Sequence, residues 1–144
     1  MAQPADEAGG EEADFTFESP PRFTVARQGA RFVLSSDEDA AVLLVVPHGA
    51  PDEAALAQQL AEGWIEEQVE LRPAAPPARD EDGLLVELAG SFRGEPARAC
   101  VRAVCTPRGG GVLVVVLAAE LHWQPRRYEA YARMIVRSVR WPQD

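Results

Sequence analysis

"CTPRGGGVLVVVLAAELHW", residues 105–123, sets three consecutive glycines in front of a run of β-branched and aliphatic residues. Such a run either cradles a phosphate or bends the chain into a strand. A phosphate loop follows a strand and opens onto a helix whose N-terminus faces the anion, with a Lys-Ser/Thr pair in the ATP-binding form. Gly109, Gly110 and Gly111 lie instead between two strand-like runs, and all 14 cationic residues of the chain are arginine. The stretch therefore predicts a glycine-permitted hairpin bend that feeds a strand buried on both faces.

Working outward, "ARACVRAVCT" (97–106) is the strand before that bend, and "LLVELAGSFR" (84–93) pairs back to it across the turn "RGEP". "AAVLLVVP" (40–47) is a second continuous apolar run and predicts another central strand. "FTFESPPRFTVARQGARFVLS" (15–35) alternates Phe, Val and Leu at period two between prolines and Gly29, which predicts two or three short strands. "HGAPDEAALAQQLAEGWIEEQ" (48–68) predicts a first helix, with Pro51 at its first position and Leu56, Leu60 and Trp64 at four-residue spacing. "RPAAPPARDEDG" (72–83) predicts a charged, proline-rich loop. "PRRYEAYARMIVRSVRW" (125–141) predicts a closing helix with Tyr128, Tyr131, Ala132, Ile135 and Val139 on one stripe.

The fold class expected is an α/β (α+β) sandwich, with a mainly antiparallel sheet of about six or seven strands and two principal helices. With 144 residues, 47% of them apolar, there is material for one cored domain, residues 15–144. Residues 1–14 hold five acids and no base among Ala, Gly and Pro, and predict a disordered tail. The net charge of −9 argues against nucleic acid as a partner, because phosphate binding needs a basic footprint. The longest apolar run, 112–119, falls short of the roughly 20 residues of a membrane span. With no secretory signal pattern and only two cysteines, a cytoplasmic location is expected.

This order of elements, with "GGGVLVVVLAA" before the last helix and "IVRSVRW" at its end, resembles the PsbP-like fold group. That group includes the PsbP subunit of photosystem II, a Ran-binding nucleotide-release factor, small bacterial lipoproteins and the Eag-type chaperones of type VI secretion effectors. The resemblance spans about residues 15–142. It implies a non-enzymatic protein-binding module: a chaperone or adaptor, or an assembly subunit, whose partner is another protein such as a secreted effector. A carrier of a small apolar ligand or lipid, held in a cleft between sheet and helix, is the alternative.

The candidate chemistry is sparse. His48 and His122 read as exposed strand-end residues without metal-ligand spacing, and no cofactor or metal is expected. The acidic runs "SSDEDA" (35–40) and "ARDEDG" (78–83) lack an EF-hand pattern and read as solvated turns. Cys100 shares a strand face with Arg98 and Arg102, whose guanidiniums would favour its thiolate and a redox role, against the plainer reading of a small apolar filler. Arg126, Arg127, Arg133, Arg137 and Arg140 on the closing helix face only Glu129 there and form a candidate docking strip, against the plainer reading of a solvated face. Trp64 and Trp123 complete the candidate partner-binding set. Finally, two helices are too narrow to cover both faces of a flat six-stranded sheet, so a partner chain or a second copy is expected to complete one face.

Overall fold

The computed structural model describes residues 15–141; the acidic stretch 1–14, expected to be a tail, lies outside the described residues. Strands β1 (Thr24–Gln28), β2 (Arg31–Ser36) and β3 (Asp39–His48) form an antiparallel meander, followed by helix α1 (Glu53–Leu60). Strands β4 (Trp64–Glu66), β5 (Val69–Pro73), β6 (Ala78–Asp80), β7 (Gly83–Phe92), β8 (Glu95–Cys105) and β9 (Gly111–Ala119) follow. A 3-10 turn (Glu120–His122) and helix α2 (Pro125–Ser138) close the chain. The α+β class and the antiparallel sheet with two helices match the sequence expectation. The strand count and the sandwich do not: there is one nine-stranded sheet, ordered β1-β2-β3-β9-β8-β7-β5-β4, with β6 also paired to β7.

The glycine question is settled by the β8–β9 hairpin. Gly109 and Gly110 have φ of 90° and 76°, a region where a side chain is strained, and the Thr106 hydroxyl donates to the Gly109 carbonyl at 2.8 Å. The β9 strand that follows is buried from Gly111 to Ala118 and sits between β3 and β8 at the centre of the sheet. The β7–β8 turn is tighter, with Arg93 and Gly94 both at positive φ, as the twist of a two-residue hairpin demands.

The sheet curls. Arg31, in the second strand from one edge, pairs with Glu66 of β4, the far edge, at 2.6 Å. Six strand spacings lie between β2 and β4, about 29 Å if the sheet were flat, so the ion pair requires the two ends to bend toward each other. Gly90 of β7 allows part of this, because a Cβ there would collide with the Glu70 carbonyl of β5. The curl divides the core into two layers. The concave layer holds Leu44, Leu71, Leu84, Val86, Leu88, Leu113 and Val115 beneath α1, and the small Ala97, Ala99 and Ala103 of β8 let that helix sit close. The convex layer holds Leu34, Leu43, Val45, Val112, Val114 and Val116 beneath α2, with Phe15, Phe32, Trp123 and Trp141 packed around.

Curling removes the shortage of cover expected for a flat sheet. Both faces of β3 and β9 are closed by the chain's own elements, and each of Val112 through Leu117 is buried. Helix α1 is also shorter than its pattern suggests. Asp52 caps it by accepting the Ala55 N–H at 2.9 Å, which places Pro51 outside the helix. Gly63, at φ 89°, then turns the chain, so Trp64 starts β4 instead of a further helical turn. The expected loop at 72–83 contains the end of β5 and all of β6.

Candidate functional site

Helix α2 carries most of the residues singled out in the sequence. Its stripe of Tyr128, Ala132 and Ile135 is buried on the convex layer, and Pro125 at its first turn suits a position whose N–H has no helical partner. The buried stripe turns the arginines to its flanks and outer side. Arg133 and Arg137 do not face solvent and Glu129 alone. Both reach the β6–β7 turn, where Arg133 meets Asp82 at 2.6 Å and Arg137 grips the same carboxylate at 2.9 and 3.0 Å. Arg133 also holds Glu129 at 3.0 Å, one helical turn back.

Beneath them lies Arg102 of β8, a guanidinium with 0% exposure. It donates to both Asp80 oxygens, at 2.7 and 3.2 Å, and to Glu129 at 2.9 Å, while its Nε has no partner. Arg102 and the Asp82 N–H hold the Asp80 carboxyl down at about 2. Asp82 is likewise held below the usual carboxylate range, chiefly by Arg137 and also by Arg133 against the opposing effect of burial. The turn "ARDEDG", read in the sequence as solvated, is thus a clamp on α2. On the opposite flank, the Tyr131 hydroxyl donates to Asp39 at 2.6 Å and Arg127 pairs with Asp39 at 3.0 Å. Burial pushes the Asp39 carboxyl up, but Tyr131, the Ala41 N–H and Arg127 together bring it below its ordinary value. Asp39 closes the "SSDEDA" turn, so that turn too is tied to the helix.

The remaining candidates separate. Arg140 turns back to the Arg137 and Val139 carbonyls at 3.0 Å and satisfies the end of the helix. Arg126 is exposed and makes no ion pair among the described residues. Trp123 packs edge-on against Tyr128, and Trp64 lies across the molecule at the rim of the concave layer. Arg126, Arg133 and Arg137 line a shallow depression of about 420 Å³ on the outer side of α2, together with Glu129, Ala130 and Met134. Met134 is 38% exposed, and among the described residues it is one of the large apolar side chains left open to solvent, with Val25, Ile65 and Leu121. The helical period in the sequence marks the buried stripe; Arg126, Ala130 and Met134, each four residues after the one before, carry the signal of this second stripe.

Cys100 does not behave as its neighbours in sequence suggest. It is buried in the convex layer, and burial pushes its thiol up to about 12, with Glu129 adding to the rise and Arg102 opposing it only weakly. The Arg102 charge is already matched by two carboxylates, and the surroundings of Cys100 are those of the small apolar filler, the plainer of the two readings, and not of a thiolate. Cys105 points into the opposite layer, and both cysteines are free. His48 is half-buried, not exposed: its Nε2–H donates to the Val104 carbonyl at 2.8 Å and its Nδ1 accepts the Ala50 N–H at 3.1 Å. Burial lowers its pKa, and it serves as a neutral brace between β3 and β8. Among the described residues, no three potential metal ligands cluster, and no helix is long and apolar enough to cross a membrane.

No protein-family model matches the chain, and no curated protein matches it significantly. Among solved structures, one from Bacteroides thetaiotaomicron VPI-5482 is similar with a TM-score of 0.58 at 9% identity, over 89% of this chain and 45% of that one. At that identity the likeness is one of fold alone, and this chain spans less than half the length of that protein. LpqN, involved in cell envelope biogenesis of Mycobacterium tuberculosis, gives a TM-score of 0.49 at 15% identity, over 87% of this chain and 81% of LpqN.

Proposed function

We propose that this chain is a non-enzymatic protein-binding module, an adaptor, chaperone or assembly subunit of the PsbP-like kind, and that its partner docks on the outer side of α2. The observation that carries this reading is the depression floored by Ala130 and Met134 and walled by Arg126, Arg133, Arg137 and Glu129. Helix α2 is clamped on both flanks, by Asp80 and Asp82 on one side and Asp39 on the other, so the outer stripe is a rigid surface that costs little ordering entropy to bind. Arg133 and Arg137 are matched by Asp82 and Glu129, so the apolar floor beside Arg126 suits a segment that presents an aliphatic side chain next to a carboxylate.

A photo-crosslinking residue at position 134, compared with one at the exposed Gln58 of α1, tests this in cells that express the protein natively. The expected result is one discrete adduct from position 134, lost when Arg126 is also changed to Glu. Equal adducts from both positions, or none from 134, would count against it. The apolar-ligand carrier is a second reading, favoured by the curl of the sheet around its concave layer. Native mass spectrometry of the purified protein distinguishes it by a bound small molecule that is released on unfolding.

A further inference from the structure

The curled sheet is a barrel that the backbone leaves open. Among the described residues the two edges of the sheet are β4, which pairs only with β5 through Trp64, Ile65 and Glu66, and β1, which pairs only with β2. The gap between β4 and the β1–β2 hairpin, where Arg31 opens β2, is crossed by side chains. Arg31 sends Nη1 and Nη2 to the two Glu66 oxygens at 3.2 and 2.6 Å, and its guanidinium also lies 5.6 Å from the centre of the Trp64 ring. Arg31 shares its strand face with Val33, and Glu66 shares its face with Trp64; Val33 and Trp64 both pack on the concave layer. The three groups therefore sit at the mouth of the seam, directly over that layer.

We propose that Arg31, Trp64 and Glu66 form a clasp that opens and closes this seam, and that the part that moves is β4. Three observations support a moving part. With three residues, β4 is as short as any strand in the sheet, and β5, which carries it, is fixed to β7 over five residues. Ile65 on the outer side of β4 is half exposed and holds nothing down. The Arg31–Glu66 pair is itself partly exposed, so it is weak enough to break and re-form, and salt screens it. Release uncovers Trp64 and, behind it, Val33, Val69 and Leu71. A closed clasp therefore hides apolar surface that an open one presents. This inference is independent of docking on α2, which lies on the other face of the sheet.

Hydrogen exchange on the full chain tests it strand by strand, with the dye 1-anilinonaphthalene-8-sulfonate as the probe for uncovered apolar surface. Glu66→Gln removes the ion pair from an exposed position and should speed exchange of β4 about threefold; Arg31→Ala removes the ring contact as well and should speed it about tenfold. Both variants should raise dye fluorescence while exchange in β8 and β9 stays at its wild-type rate. The charge swap Arg31→Glu with Glu66→Arg should restore slow exchange in β4. Unchanged exchange in β4, an increase spread evenly over β8 and β9, or no recovery in the swap would each overturn the proposal.

Discussion

The two faces of this sheet are closed by different physics. The concave face under α1 is mainly hydrocarbon, Leu, Val and Ala held by burial, with the Arg31–Glu66 pair at its mouth and a largely exposed Arg79–Glu53 pair joining β6 to α1. The convex face under α2 places a buried guanidinium and a lattice of carboxylates beside its aromatic core. Burial, which selects the apolar stripe that faces inward, is tolerant of small shifts about and along the helix axis, because repacked side chains can fill the same volume. Paired charges are not: Asp80, Asp82 and Asp39 fix both the rotation of α2 and its position along the strands. That is why the outer stripe of α2, and not that of α1, is the surface presented in a defined orientation.

The largest way to break this contrast is Arg102→Ala. It takes one guanidinium from Asp80 and from Glu129, leaving Arg133 as the remaining cation for each, and empties a fully buried volume under α2, so it should cost about 4 kcal/mol in urea unfolding. Arg102→Met, which refills the volume without the charge, should recover part of that loss while leaving α2 less ordered. If Arg102→Ala costs no more than an exposed substitution, the lattice does not hold the helix. On the other face, Leu56→Ala removes the fully buried α1 anchor and should cost about 3 kcal/mol by the same assay. Asp52→Ala deletes the α1 cap and should cost about 1 kcal/mol.

Acidity sharpens the contrast with smaller effects. Asp80 and Asp82 have folded-state values below the ordinary 3.8, so their contribution is fully present above that pH and is lost as the pH falls toward 2. Exchange in α2 should therefore rise in that window before exchange in β9 does. His48 on the concave side has a value lowered from 6.5, so its contribution is complete above 6.5 and is lost as the pH falls below it. A urea midpoint that declines from pH 7 to pH 5.5 should flatten in His48→Asn. A slope that persists in that variant would remove His48 as its source.

Much of this fold was legible in the pattern of residues. The runs at 40–47 and 112–119 announced two strands buried on both faces, and the stripe of α2 was readable through Ile135, although Val139, Arg140 and Trp141, expected on the helix, lie past its end at Ser138, where Val139 is already extended. The curl was not, because it depends on where β5 crosses Gly90 and on contacts between strands far apart in sequence. The end of α1 was missed because Trp64 happens to fall on the helical spacing of Leu56 and Leu60, while the left-handed Gly63 before it decides the outcome. The clamp was missed for a related reason. In "ARACVRAVC" nothing distinguishes Arg102 from Arg98, and only the fold brings Asp80 and Glu129 to one of them.

The β3–β9 pairing bears on how the chain finds this structure. Every other ladder joins strands that are neighbours, or nearly so, along the chain, so β1 to β3 and β4 to β9 can each form as a local ribbon. In backbone pairing the two ribbons meet where Val42 through His48 align with Leu117 back through Gly111, residues from opposite halves of the sequence. Closing that loop is the slow entropic step, and both ribbons expose a wholly apolar strand until it happens. Val45 and Val114, opposite each other in the centre of that junction, are therefore where a side-chain truncation should retard folding itself, whereas truncations in α1 should mainly hasten unfolding.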